Sequence, residues 1–443
     1  MSGLSPSTIG IIGMCCLFVL IALRFPIGAA LASVSITGLS VLIGFESTFN
    51  LLTAVPYEFA ANWELSAIPM FLLMGSIAFH SGMTADLFAA ARVWLRGLPG
   101  GLAVATNFAC AGFAAASGSS VATTIAMGRI AIPEMLRAGY DKSLAAGTVA
   151  CAGTLGSLIP PSVLMIVYAI FTAQSIGNLF LAGFAPGLLT ALVYGTMIVI
   201  RCKLDPSLAP VAEESSTLGE KLIIFLRIWP LPVLILGVIG SIYGGVATPT
   251  EAAALGVIVA TLIALWRGQL NMDVMKSSVL ESMEATASIF FVAIGAVMLT
   301  RFLLFSGVPE LLSDLVKSWS PNLLVLLAVI TLVYLLLGCF LEPIGLMLIT
   351  LPVVLPALEP FDVNLIWFGI MMIKYLEMGL MTPPVGMNVY AVKVIAGDLI
   401  SLETIFRGVT WFLLCEVLVI VLLIAFPAIV LFVPGLSWNP KLF

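Results

Sequence analysis

Apolar runs of membrane length follow one another along almost the whole chain, and polar residues mostly mark where they end. Residues 8–23 and 25–45 form two such runs around Arg24, Phe25 and Pro26. A more polar connection over 46–64 carries Glu46, Asn50, Glu58, Asn62 and Glu64, and a third span covers 66–90. Residues 102–136 differ. Each flank is about 15 residues, short of the roughly 20 needed to cross a bilayer core, and the middle reads Ser117-Gly118-Ser119-Ser120. That pattern predicts a re-entrant helical hairpin with its tip at 118–120. A broken helix follows over 143–172, where Gly153, Gly156, Pro160 and Pro161 interrupt GTLGSLIPPSVLMIVY, and then a span at 179–200.

The stretch 201–227 is polar and connects two halves. Beyond it come spans at 229–246 and 250–266, an amphipathic run at 272–286, and a span at 287–305 containing Arg301. An amphipathic, interfacial segment covers 309–320. A second hairpin, 322–357, breaks at 338–343. A second broken helix, 364–395, contains GLMTPPVGMNVY, and a last span fills 406–431.

Shifting the chain by 223 residues lays Pro26 on Pro249, Ser119 on Glu342, Pro133 on Pro356, and Pro160-Pro161 on Pro383-Pro384. One design therefore occurs twice, over 1–200 and 228–443, with scaffold spans 8–90 and 229–305. Arg24, Arg92, Arg96, Arg137, Lys142, Arg201, Lys203, Lys221, Arg227, Arg267, Lys276, Lys393 and Arg407 can share one side of the membrane, the cytoplasmic side by the positive-inside rule, with Lys317 on the other. The first hairpin then enters from the cytoplasm and the second from outside. The halves are expected to be inverted repeats whose tips and breaks meet at mid-membrane. Backbone freed from helix hydrogen bonds is tolerated in a bilayer only inside protein or along a cavity. Paired breaks of this kind point to a transporter's substrate and ion site.

Composition narrows the class. Of 443 residues, 61% are hydrophobic and 9% charged, against about 25% charged in soluble proteins, and the mean hydropathy is +1.19. The chain reads as an all-α polytopic membrane protein without a sizeable soluble domain, and no basic run points to nucleic acid. The N-terminus lacks a basic n-region, so the first span is expected to be retained. No phosphate-binding G-x-x-x-x-G-K-[ST] loop is present, so pumping must draw on an ion gradient or another subunit. Seven cysteines show no metal spacing and read as buried free thiols. With one histidine, His80, expected at the interface, and no nucleophile–base pair, a membrane-embedded enzyme is a remote alternative.

Together these segments resemble the large membrane (M) subunit of tripartite ATP-independent periplasmic (TRAP) transporters over nearly the whole chain. The most specific marks are GTLGSLIPPSVLMIVY, LEPIGLMLITLPVVLP at 341–356, and WFGIMMIKYLEMGLMTPPVGMNVY at 367–390. The resemblance implies a multi-pass protein of the bacterial inner membrane that imports a small carboxylate, such as a C4-dicarboxylate or a sialic acid, coupled to sodium. It implies delivery by a soluble periplasmic substrate-binding protein. It also implies a separate small four-helix membrane subunit, which this chain is not expected to contain. The implied mechanism is an elevator within a fold like that of the ion transporter superfamily.

Sodium is a hard cation and takes oxygen ligands. Two or more coupling ions are expected, one at each pairing of tip and break. Site 1 draws on Ser117, Ser119, Ser120, Gly153, Thr154, Gly156 and Ser157, and site 2 on Gly338, Glu342, Gly379 and Thr382. For the serines the alternative is tight helix packing. Half-helices starting near Pro160, Pro161 and Pro384 offer partial positive charge to an anionic substrate. Asn388 either bonds a substrate oxygen or satisfies loosened backbone. Arg301 either attracts the anion or reaches to the interface. Lys374 and Glu377, three apart, read as an ion pair on one helix, the alternative being a coupling or scaffold-contact role. Glu342 and Glu377 keep open a proton-coupled symporter of the same fold.

Overall fold

The computed structural model describes residues 4–210, 218–225, 227–319 and 322–436, and the chain's apolar runs fold there as helices. The first half contains α1 (Pro6–Ala22), α2 (Ile27–Ile43), α3 (Phe45–Ala60), α4 (Ala67–His80) and α5 (Met83–Leu95). Next come the hairpin α6 (Gly101–Ser117) and α7 (Ser120–Arg137), and the broken helix α8 (Lys142–Ala152), α9 (Leu155–Leu158) and α10 (Val163–Thr172). The long α11 (Ile176–Leu204) closes the half. A short α12 (Leu218–Phe225) lies in the connector. The second half contains α13 (Pro230–Tyr243), α14 (Pro249–Trp266), α15 (Met272–Ser306) and α16 (Val308–Trp319). The hairpin α17 (Leu323–Gly338) and α18 (Pro343–Leu358) follows, then the broken helix α19 (Leu365–Gly379) and α20 (Met387–Ala396). α21 (Leu402–Ala425) and α22 (Ala428–Leu436) complete it.

The repeat is visible in these boundaries. Shifted by 223, the starts of α1, α2, α5, α6, α7, α8, α10 and α11 fall within three residues of those of α13, α14, α16, α17, α18, α19, α20 and α21. Side-chain caps fix several starts by occupying N–H groups that a first turn leaves free. The Asp141 carboxylate accepts from Ser143 and Leu144 N–H at 2.9 and 3.0 Å. Burial raises the Asp141 carboxyl, but those bonds, the Ser143 hydroxyl and the Arg407 charge outweigh it and hold the group below its ordinary value. Thr248 and Glu251 form a reciprocal capping box at α14.

Several boundaries differ from the sequence reading. The connection 46–64 is largely the helix α3, whose polar residues Glu46, Asn50 and Tyr57 recur along one helical face. The span expected at 66–90 ends at His80, because Gly82 turns the chain at φ +79° into α5. The amphipathic run 272–286 and the span 287–305 are one continuous helix of 35 residues. The last span is divided near Pro427 into α21 and α22. In the 201–227 connector, α11 extends to Leu204, and 211–217 lie outside the described residues. Cys15 and Cys16 are exposed on α1, whereas the other five cysteines are buried.

Among the described residues six helices are long and apolar enough to cross a membrane, or seven if the bent pair of Lys142–Leu158 and Val163–Thr172 is one span. The two halves interlock. α2 packs on α15, α4 on α14 and α15, α7 on α20, and α8 on α21. One large apolar core gathers α2, α4, α10, α14, α15, α18 and α19. A second gathers α6–α8, α11, α20 and α21. Tyr168 ties the first broken helix to α19. Its ring packs where Gly369 has no side chain, and its hydroxyl donates to the Leu365 carbonyl at 2.7 Å.

Candidate functional site

Each hairpin tip lies against its own broken helix. At the first, Gly118 turns the chain at φ +61°, and its carbonyl accepts the Val163 N–H at 3.4 Å, just past the cis Pro160–Pro161 bond. Packing there leaves no room for side chains. A Cβ on Gly153 would stand 1.8 Å from Thr124 Oγ1, and one on Gly156 would stand 2.5 Å from the Ser119 carbonyl oxygen. The two glycines thus let the break close onto α7.

The hydroxyls of this tip form two groups. Ser117 Oγ bonds Thr123 Oγ1 at 2.7 Å, and Thr123 in turn donates to the Ser119 carbonyl at 2.8 Å. Ser119 Oγ faces the Ala122 N–H at 3.5 Å, capping α7. Ser120 Oγ lies 2.8 Å from Ser157 Oγ and 3.4 Å from the Thr154 carbonyl oxygen. It also donates to Glu377 Oε2 at 2.5 Å. A carboxylate of the second broken helix therefore enters the first tip–break pair.

The second pair is closed by backbone. A Cβ on Gly379 would stand 2.7 Å from Gly338 Cα. Gly386 N–H donates to the Cys339 carbonyl at 3.3 Å, and Thr382 Oγ1 donates within its own turn to the Met378 carbonyl at 2.6 Å. Glu342 stands at the start of α18, half-buried. The Pro383–Pro384 bond is also cis, but Pro384 is exposed where Pro161 is buried.

A cavity of about 370 Å³ joins the two pairs. Gly118, Ser119, Ser120 and Ser157 line it from the first, Glu342 and Leu380 from the second, and Ser288 of α15 closes another side. Ser119 also borders a smaller cavity of about 170 Å³ with Glu281, which accepts from Ser76 at 2.5 Å and lies 3.0 Å from His80 Nε2. Arg301 is exposed near the far end of α15 and lines neither space. Asn388 is fully buried. Its Nδ2 donates to the Ala150 carbonyl at 3.2 Å, tying α20 to α8, and its Oδ1 has no hydrogen-bond partner.

The ion pair expected between Lys374 and Glu377 is not formed. Lys374 turns instead to Glu416 of α21, with Thr190 Oγ1 at 3.3 Å, and Tyr194 donates its hydroxyl to the same Glu416. The reason is packing: α11, α21 and α9 all pack on α19, and the first two bring Thr190 and Glu416 to Lys374. Glu416, Tyr194 and Thr190 formed no part of the sequence reading. The signal was a lone carboxylate inside the apolar run LLCEVLVIVLL, since an ionisable residue at membrane depth is costly unless it has a partner.

The family described as "Tripartite ATP-independent periplasmic transporter, DctM component" matches residues 14–429. The chain is 34% identical over 402 residues to a C4-dicarboxylate TRAP transporter large permease protein of Pseudomonas aeruginosa, covering 90% of this chain and 91% of that one. It is 33% identical over 384 residues to a sialic acid TRAP transporter large permease protein of Vibrio cholerae, covering 85% and 87%. In fold it is similar to the crystal structure of the YdaH transporter of Alcanivorax borkumensis, with a TM-score of 0.58 at 15% identity over 86% of this chain and 89% of that one. The chain belongs to the DctM-component family of TRAP transporters, multi-pass permeases of the bacterial inner membrane rather than enzymes.

Proposed function

We propose that this chain carries out sodium-coupled secondary import of a small organic acid anion. The observation behind this reading is the cavity of about 370 Å³ in which both tip–break pairs take part. That size is within the roughly 300–1,000 Å³ range of small-molecule sites. Its hydroxyls, carbonyls and the Glu342 carboxylate are oxygen ligands of the kind sodium takes. Two or more sodium ions bind, one at each pair, and the half-helix starts beyond the two proline pairs face the anion. The relatives named for C4-dicarboxylate and sialic acid both handle carboxylates, and the substrate here is of that class.

A soluble periplasmic substrate-binding protein delivers the anion, and a separate four-helix membrane subunit stands beside the permease. The halves are inverted repeats. The hairpins and broken helices move together as an elevator against α1–α4 and α13–α15. Reconstitution of the chain with both partners in liposomes tests this. Uptake of labelled succinate or sialic acid is expected under an inward sodium gradient alone. Uptake driven by a pH gradient with potassium on both sides, and indifferent to sodium, refutes sodium coupling. Ser119→Ala and Glu342→Ala are each expected to raise the half-saturating sodium concentration, and unaltered sodium titrations in both refute the site assignment.

A further inference from the structure

We infer that the cation at the first tip–break pair is held by a carboxylate from the other half of the chain, Glu377, together with the Ser120 and Ser157 hydroxyls and the Thr154 carbonyl. This rests on the sodium reading above and names the charged ligand of that site. The argument begins with a count of buried charge. Lys374, Glu377 and Glu416 are each 1% exposed or less. The Lys374 ammonium is committed to Glu416, which also receives the Tyr194 hydroxyl. One ammonium thus serves two carboxylates, and Glu377 is the one left without a counter-charge.

Geometry places the missing cation. Glu377 Oε2 is taken by Ser120, whereas Oε1 is buried with no hydrogen-bond partner. An isolated carboxylate in a low-dielectric interior is strongly unfavourable; a proton or a bound monovalent cation cancels that charge, and the Ser120, Ser157 and Thr154 oxygens gathered beside it suit the cation. The groups that bear on Glu377 are Ser120 of α7, Ser157 of α9, Lys374 one turn back on its own helix, and Glu416 of α21. Only Lys374 among them is cationic. Ser120 and Ser157 line the large cavity while Glu377 does not. The ion therefore enters past the two hydroxyls, exchanging their mutual hydrogen bond for its own coordination, and the carboxylate forms the floor behind them.

The repeat explains how one site draws on both halves. Glu377 occupies the position that Thr154 occupies 223 residues earlier, and both equivalent residues reach Ser120, one by its side chain and one by its carbonyl.

The test is sodium binding to the purified permease with its membrane partner, read by labelled-sodium binding and by thermal unfolding against sodium chloride at constant ionic strength held with choline chloride. Wild type is expected to show saturable, sodium-specific stabilisation. Glu377→Gln, equal in shape but uncharged, is expected to bind one sodium fewer or to lose affinity by about tenfold or more, the loss of a charge-assisted contact. Unchanged stoichiometry and affinity in Glu377→Gln overturn this assignment alone, since a carboxylate that carries a proton instead gives that result. Wild type without sodium-specific stabilisation overturns the assignment together with sodium coupling. Should Glu377→Gln fail to accumulate, Glu377→Asp keeps the charge but withdraws it by one methylene. A loss of about tenfold there supports the assignment, and wild-type affinity overturns it.

Discussion

Replacing Gly156 by alanine probes the seam between the first tip and the first break without removing any oxygen proposed to bind an ion. Gly156 is helical, so alanine suits its backbone. The added Cβ, however, would stand 2.5 Å from the Ser119 carbonyl oxygen and 2.8 Å from the Ser119 carbonyl carbon, where ordinary contact begins at 3.4 Å. Those are backbone atoms and cannot rotate away. The tip must withdraw by about 0.9 Å, and a displacement along that direction stretches the 2.8 Å Ser120–Ser157 contact to about 3.7 Å, beyond hydrogen-bond range. Overpacking of this kind costs about 1–3 kcal/mol. If that cost falls on the ion-binding arrangement, the half-saturating sodium concentration rises roughly 5- to 150-fold. The assay is sodium-dependent uptake in proteoliposomes, with expression and thermal unfolding recorded alongside. Gly177→Ala is the control, because its added Cβ meets nothing nearer than 3.6 Å. A Gly156→Ala protein that folds and titrates sodium like wild type refutes the reasoning.

Lys374→Met leaves Glu416 buried without its counter-charge, which should cost about 3–5 kcal/mol. The double variant Lys374→Met/Glu416→Leu should recover much of that, as read by thermal unfolding in detergent. Asp141→Ala removes the cap of α8 and should destabilise by about 1 kcal/mol near neutrality. Because the native Asp141 carboxyl is held below its ordinary value, its contribution is fully present above the unfolded value of about 4 and is lost as pH falls through the native one. The difference between wild type and Asp141→Ala should therefore shrink in acid, and a gap that is constant with pH would contradict the capping account.

The tips and breaks were the legible part of this chain because glycine and proline act locally. A proline pair removes helix donors wherever it stands, so α10 and α20, which begin just past the two pairs, start within one residue of each other at an offset of 223. Amphipathic helices were harder to see. In α3 the polar residues Glu46, Asn50 and Tyr57 share one face, yet a reading by mean polarity takes them for a loop. Least legible were the partners of buried charges. Lys374 and Glu377 have the spacing of an intrahelical pair, but their choices depend on which helices arrive from elsewhere: α21 brings Glu416, and α7 brings Ser120. Nothing local to α19 specifies either neighbour.

The uninterrupted α15 has a consequence for the lipid around it. At 1.5 Å per residue its 35 residues make a rod of about 52 Å, far longer than a hydrocarbon layer of about 30 Å. Its charges subdivide that length. Asp273, Lys276, Glu281 and Glu284 all precede residue 285, and Arg301 follows an uncharged run over 285–300. Glu284 and Arg301 are thus about 26 Å apart along the axis. Standing upright, the helix matches a membrane slightly thinner than average, and thicker membranes must thin around it or draw Arg301 inward. Acyl-chain length thereby becomes a variable of the protein's own energetics, set by where one helix stops being neutral.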